Sequence, residues 1–487
     1  MTSEVGVATA SIRKSLGWTT FAKIIAQITT FASTLVLARL LVKADFGLFA
    51  LALVYMALCD NLVDFGFQSS IIQRRDLAVP ALATLYWMLN AVAIALCGLT
   101  MFAAPVVASF MREPHLSGLL PVLAAVLLFA PTTIVSAGVL SRDMRVDVLA
   151  RIELVAALIR VTVTIGLAYL EFGVMSFALG YVAERGLIAS SALIASRWQP
   201  IARFEPRSVL PLFSFGAQIT IARLLWLGTT RIDVLVIGRI LGTDTLGAYT
   251  IASQIAMAFF QFIASSYYRV VYPAFSRLQA SSHRNAFVEK SSVYLALVAL
   301  PVFGGIAAVA GPFVEVFLGA KWSASVAPLQ VLALVAALQT MGGLLPQAAN
   351  AIGRTDVGVR VNLVTLLVMA STFYLAAKFG GLEALLVTWC VVAPVRFLLL
   401  CNLACKALGI SISHYAKLHL GPAVSCALMV AVVCATEMLL ASLSAASKLA
   451  VEIAVAALSY LLGALWFCRP YVLAVASAVW PRVRRIA

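Results

Sequence analysis

Long apolar stretches, each close to the length that spans a bilayer core, alternate along the chain with short polar clusters. The pattern predicts fourteen helices, at about 18–42, 46–67, 82–110, 116–140, 148–170, 174–197, 209–238, 243–273, 291–318, 324–352, 357–379, 381–405, 418–440 and 447–468. Proline, glycine and charged residues mark the breaks, as at Arg74-Arg75-Asp76, Arg112-Glu113-Pro114, Gly319-Ala320-Lys321 and Gly380-Gly381. The first apolar stretch, Trp18 to Leu41, follows Arg13 and Lys14. It is too long for the core of a signal peptide and reads as a retained first span. The pattern therefore defines an all-α polytopic membrane protein.

Composition agrees. Of 487 residues, 63% are apolar and 11% charged, against about 45–50% and about 25% in soluble domains. The segments between spans are short, the longest lying around Ser276 to Ser291, which leaves no room for a soluble catalytic or nucleotide-binding domain. The net charge of +15 would suggest nucleic acid in a soluble chain. Here its distribution carries other information. With the N-terminus in the cytoplasm, 22 of the 35 Lys and Arg residues fall in cytoplasmic segments and 7 in external ones. This bias follows the positive-inside rule and predicts an even number of spans with both termini cytoplasmic.

The chain also repeats itself. Leu35 to Ala52 reads LVLARLLVKADFGLFALA and Leu235 to Ala252 reads LVIGRILGTDTLGAYTIA, with six identities in 18 positions at an offset of 200. Arg39 matches Arg239 at the external end of an odd-numbered helix, and Gly47 matches Gly247 just inside the next. A small residue there allows close helix packing. Arg151-Ile-Glu-Leu-Val echoes Arg360-Val-Asn-Leu-Val more weakly. The expected layout is two six-helix lobes, residues 1–200 and 208–408, related by a pseudo-two-fold axis along the membrane normal. Residues 411–487 add two helices and a basic cytoplasmic tail. Two lobes around a central cleft suit alternating access.

Charged residues inside spans are costly and are candidate functional groups. Lys23 and Arg223 lie 200 apart, each about 24 Å inward from its matched Arg by the rise of a helix. That puts both near the cytoplasmic face, where snorkelling competes with a place in the cleft. Arg231 lies deeper. Lys23, Arg223 and Arg231 are the candidate binders of an anionic, phosphate-bearing substrate, because guanidinium groups hold phosphate bidentately. Asp60 and Asp64 share a helix face, and Asp64 lies within reach of Arg74 or Arg75. Asp60 offers a carboxylate for ion coupling, with a structural ion pair as the competing reading. Asp233 cannot pair simply with Arg231, because residues two apart do not face each other. Arg160, Glu184, Arg185 and Arg396 lie near mid-depth and supply inter-helix pairs or coupling groups. Glu437 and Glu452 fall near the external ends of the last two spans, where interfacial solvation accounts for them.

Other chemistries lack their residues. There is no phosphate-binding loop for an ATP-driven pump, and no H-E-x-x-H or G-x-S-x-G. The eight cysteines and four histidines show no zinc spacing, so neither a metal nor a cofactor is expected. Cys401 and Cys405, four apart on one face, read as buried apolar side chains.

Several stretches carry a resemblance. LARLLVKADFGLFALA followed by DNLVDFGFQSSIIQRRD resembles the first two helices of Wzx-type polysaccharide flippases, in the multidrug/oligosaccharidyl-lipid/polysaccharide exporter superfamily. RIDVLVIGRILGTDTLGAYTIASQI and VVYPAFSRLQ resemble that family's helix 7–8 signature, and ANAIGRTD its helix 10–11 turn. The resemblance covers most of residues 10–410 and fades over the last two helices. Lys43-Ala44 departs from it, since such proteins often carry a proline there. Asp64, Asp233, Arg39, Arg239, Gly47 and Gly247 match signature positions, and the resemblance leaves open whether these are structural or contact substrate.

What the resemblance implies is a non-enzymatic flippase of the bacterial inner membrane. It would move an oligosaccharide on undecaprenyl pyrophosphate to the periplasmic leaflet, for exopolysaccharide, capsule or O-antigen. Its partners would be that lipid-linked oligosaccharide, membrane lipids and the polymerase and export machinery; nucleic acid is excluded. Two alternatives stand beside it. One is export of lipid II or drugs on the same fold, although a drug exporter should present acidic groups where this chain has cations. The other is a glycan polymerase, which generally needs a sizeable external loop.

Overall fold

A computed structural model describes residues 2–74, 79–201, 204–276, 281–351, 356–440 and 443–479. Every regular element among them is helical. In chain order they are α1 (Thr2–Leu40), α2 (Lys43–Asp64), α3 (Phe67–Gln73), α4 (Val79–Met111), α5 (Leu116–Ala124), α6 (Ala130–Arg142), α7 (Val146–Tyr169), α8 (Val174–Ser196) and α9 (Pro206–Leu241). There follow α10 (Thr243–Ser276), α11 (Ser281–Ala308), α12 (Ala310–Phe313), α13 (Val326–Gly342), α14 (Leu344–Ala351), α15 (Asp356–Leu408), α16 (Ile412–Leu439), α17 (Ala445–Phe467) and α18 (Arg469–Val479).

Among the described residues, eleven segments are long and apolar enough to cross a membrane. The chain is thus an all-helical, multi-pass membrane protein. The longest of the eleven, Val361–Leu408, lies within α15, whose helical geometry breaks at Gly381 (φ 65°, ψ −150°). The sequence places a helix boundary at that glycine. α7 and α9, of 24 and 36 residues, lie outside the eleven. They carry Arg160 and, on α9, Arg223, Arg231 and Asp233.

The chain divides into two compact units, Met1–Thr250 and Ile251–Ala487. In the first, α2 is the most thoroughly buried of the long helices. Its start is set by Asp45, whose carboxylate accepts the Val42 N–H at 3.2 Å, and an acid in the first turn also suits the helix dipole. Phe46 and Phe49 then pack on Phe177 of α8 at 5.0 and 4.9 Å between ring centroids. Such contacts matter here because lipid offers helices little hydrophobic driving force, so association depends on close packing. In the second unit, Cys401 and Cys405 lie in an apolar cluster with Val288, Leu345, Ala404 and Tyr415. A separate cluster joins Val309, Met429, Val433, Leu449, Ala456 and Tyr460.

Candidate functional site

Polar groups in the first unit line up along α2. The helix ends in two left-handed residues, Phe65 (φ 42°) and Gly66 (φ 70°), which turn the chain into α3. Glycine suits the second position because a positive φ carries no steric penalty there. The turn leaves Asp64 facing both the start of α3 and the middle of α9. One carboxylate oxygen accepts the Gln68 N–H at 3.0 Å. The other is ion-paired with the Arg223 guanidinium, which also donates to Ser69 at 3.3 Å. Asp64 is buried and Arg223 half-buried. The partner of Asp64 is therefore Arg223. Arg74 is exposed and Arg75 lies outside the described residues.

One turn earlier on α2, half-buried Asp60 interacts electrostatically with Arg185 of α8 and with Asp64. Arg185 donates to the Tyr181 hydroxyl at 2.7 Å and lies 5.0 Å from that ring's centre. Arg160 of α7 reaches Glu184 at 3.2 Å and approaches the same ring at 5.9 Å. The aromatic ring thus lies between two cations, each with a carboxylate close by. Arg396 stands apart, in the second unit. It is half-buried on α15 and donates weakly to Asn362 at 3.4 Å, while its Nε has no partner among the described residues.

Lys23 and Arg223 have different surroundings despite their matched numbers. Lys23 is exposed, with Glu153 of α7 as an electrostatic neighbour. Arg231 is also exposed. Asp233 is buried and accepts the Tyr249 hydroxyl at 2.5 Å and the Val234 N–H at 2.9 Å. Arg231 and Asp233 therefore occupy different faces of α9, as their spacing requires.

The repeat glycines meet each other. A Cβ on Gly47 would overlap the carbonyl of Thr243, and one on Gly247 would overlap the carbonyl of Lys43. Lys43 and Thr243 are themselves 200 apart, so the two approaches are reciprocal. This contact holds the start of α2 against the start of α10. Arg239 closes the same end by donating to the Phe110 carbonyl, with its guanidinium 3.7 Å from the Phe110 ring centre. Arg39, its counterpart, is exposed in the last turn of α1. At the other end of α2, Gly216 lies so close to Phe65 that a Cβ would overlap its carbonyl. α9 is thus tied to α2 at the Asp64 end by an ion pair and a backbone approach.

The sequence gives no sign of Ser69, Glu153 or Gly216. Tyr249 had a signal, since it pairs with the aromatic Phe49 at the repeat offset. Glu437 is half-exposed and paired with Lys448 at 3.2 Å. Glu452 differs from the solvated group expected. That residue is fully buried, because its face of α17 turns inward and not toward the interface.

The described residues form a helical membrane protein with ion-paired charges on its spans, and comparison with known proteins specifies the family. The model of a family described as polysaccharide biosynthesis protein matches residues 36–327. The chain belongs to this family. It is 29% identical to the teichuronic acid biosynthesis protein TuaB of Bacillus subtilis (strain 168), over 82% of this chain and 84% of that one. It is 26% identical to the lipopolysaccharide biosynthesis protein WzxC of Escherichia coli (strain K12), over 75% of each. The expected kinship with Wzx-type proteins is met. Among solved structures, the lipid II flippase MurJ in an inward closed conformation superimposes with a TM-score of 0.79 at 14% identity, covering 93% of this chain and 99% of that one. An inward-facing multidrug resistance MATE family transporter gives 0.61 at 16% identity, over 79% and 96%. These two likenesses establish a shared fold.

Proposed function

We propose that the protein flips oligosaccharides linked to undecaprenyl pyrophosphate from the cytoplasmic to the periplasmic leaflet of a bacterial inner membrane, and that it is a transporter and not an enzyme. Family membership together with the paired intramembrane charges carries this reading. With α15 counted as two helices about Gly381, and α7 and α9 added, the eleven spans become the fourteen read from the sequence. The reciprocal approach of Gly47 and Gly247 supports two lobes related by a pseudo-two-fold axis. Lys23, Arg223 and Arg231 are the proposed receivers of the pyrophosphate and any acidic sugars. Arg223 would exchange Asp64 for substrate when α2 and α9 part, and exposed Arg231 would receive it deeper. The lipid tail would stay in the bilayer beside the cleft. The polymerase and export machinery would take the product on the far side.

The direct test is a flipping assay on purified protein in liposomes, with lipid-linked oligosaccharide added to one leaflet. Arg223→Ala and Arg231→Ala are expected to insert normally and lose at least about tenfold in rate, a factor of ten being about 1.4 kcal/mol. Normal rates in both variants would remove the cationic-cleft mechanism. Flipping of lipid II in preference to the oligosaccharide would move the protein to the alternative substrate class.

Topology has its own check. In a background without native cysteines, Lys43→Cys is expected to react with an impermeant thiol reagent from the periplasm and Arg284→Cys is not. The reverse pattern would invert the proposed orientation.

A further inference from the structure

Glu452 has no exposed surface. Neither of its oxygens has a hydrogen-bond partner among the described residues. It lies on α17 between Leu449 and Ala456, three residues before it and four after, on one helix face. Both neighbours belong to the apolar cluster with Val309, Met429, Val433 and Tyr460, which Phe313 and Val316 extend. Seven residues from the start of α17, Glu452 is about 10 Å along the helix axis. Its electrostatic neighbours are Glu437 and Lys448, and neither hydrogen-bonds to it. Lys448, one turn before it, is taken by Glu437 of α16 at 3.2 Å. Glu315, on the segment between α12 and Gly319, is exposed. Where α11 meets α17, the polar contact is the Tyr460 hydroxyl donating to the Leu297 carbonyl at 2.9 Å. α18, packed on the far end of α17, brings Tyr471 and no carboxylate.

An ionised carboxylate in such a place would be a buried charge whose neighbouring cation, Lys448, is already ion-paired with Glu437, an arrangement proteins rarely retain. An apolar residue of similar size would serve packing better. We propose that Glu452 is a proton-binding site through which the pH of the water at the Ala445 end of α17 controls transport. The carboxyl holds its proton while α17 lies against α11, α12 and α16. When α17 shifts, water from the end of the helix near Ala445 reaches the group and the O–H bond breaks. The proton passes to water and the carboxylate stays exposed until a proton returns. On the proposed topology that water is periplasmic, and only this assignment of side rests on the flippase reading.

Two measurements on the full chain in lipid test the site. Infrared spectroscopy at neutral pH is expected to show a carbonyl band of a neutral carboxyl group that disappears in Glu452→Gln. If the wild-type and Glu452→Gln spectra match in that region, the site does not hold a proton and the proposal fails. In liposomes, the ratio of flipping rates at two pH values of the water at the Ala445 end of α17 is expected to exceed about threefold, or about 0.6 kcal/mol. In Glu452→Gln, and in Glu452→Leu, the ratio falls to unity. A rate response to pH that survives in both variants overturns the control by Glu452 even if the infrared band is present. If the wild-type protein moves no lipid-linked oligosaccharide at all, the flippase reading fails while the infrared result still decides the site.

Discussion

Gly47→Val and Gly247→Val each abolish export, whereas Gly98→Val and Gly166→Val leave it unchanged. This is the expected result of substituting four glycines whose surroundings differ. At Gly47 and Gly247 an added Cβ meets a backbone carbonyl, which no rotamer change can move aside. At Gly98 and Gly166 nothing lies within reach. Overpacking a tight contact costs about 1–3 kcal/mol, so the closed crossing of α2 and α10 would lose roughly tenfold or more in population. Valine also carries a small helix-propensity change, which the Gly98 and Gly166 variants measure separately. Complementation of polymer export, with membrane protein levels and melting temperature in detergent, reads both effects. Export and melting temperature at wild-type values in both Gly47→Val and Gly247→Val would mean that the crossing does not constrain the protein.

The second large effect concerns Asp64 and Arg223. Asp64→Ala leaves the guanidinium without its carboxylate, and Arg223→Ala leaves a buried carboxylate with only the Gln68 N–H and its neighbours. Removing one partner of a buried pair is destabilising by about 3–5 kcal/mol; the half-exposure of Arg223 places this pair at or below the lower end. Both single variants are expected to melt earlier and to lose export. The exchanged pair, Asp64→Arg with Arg223→Asp, separates structure from transport. It is expected to recover most of the melting temperature, because the two charges still meet. Export is expected to stay at least about tenfold down, a deficit of about 1.4 kcal/mol, because a carboxylate then stands on α9 where the pyrophosphate is received. Recovery of export along with stability would assign Arg223 a purely structural role.

The spans and the repeat were legible because each depends on properties local to the sequence. A run of apolar residues of membrane length is visible in one dimension, and so is the bend expected at Gly381. The glycines at 47 and 247 were visible through their common offset, although sequence alone placed each at its own helix turn and not against the other. What stayed hidden depends on side-chain direction and on distant partners. Asp64 and Arg223 are 159 residues apart, while Arg74 and Arg75 lie close in sequence and drew the first assignment. Glu452 was read by its distance from a helix end. Its burial is decided by which face of α17 turns toward α16 and α11, and a span with apolar residues on most sides gives little periodic signal for that choice. Gly216 was hidden for the same reason, since the close approach to Phe65 exists only once α9 lies along α2.

The Gly47–Thr243 and Gly247–Lys43 approaches have a further consequence. A contact in which each copy offers the same patch to the other is isologous, the arrangement of a two-fold dimer. On the two-lobe reading, a single polypeptide then contains an interface that two separate six-helix subunits would share. Covalent linkage of the two copies would then raise the effective concentration of one near the other, while the patch itself would set the geometry of their meeting. A change at one glycine then disturbs one of the two reciprocal approaches, whereas a single mutation in a symmetric homodimer would disturb both.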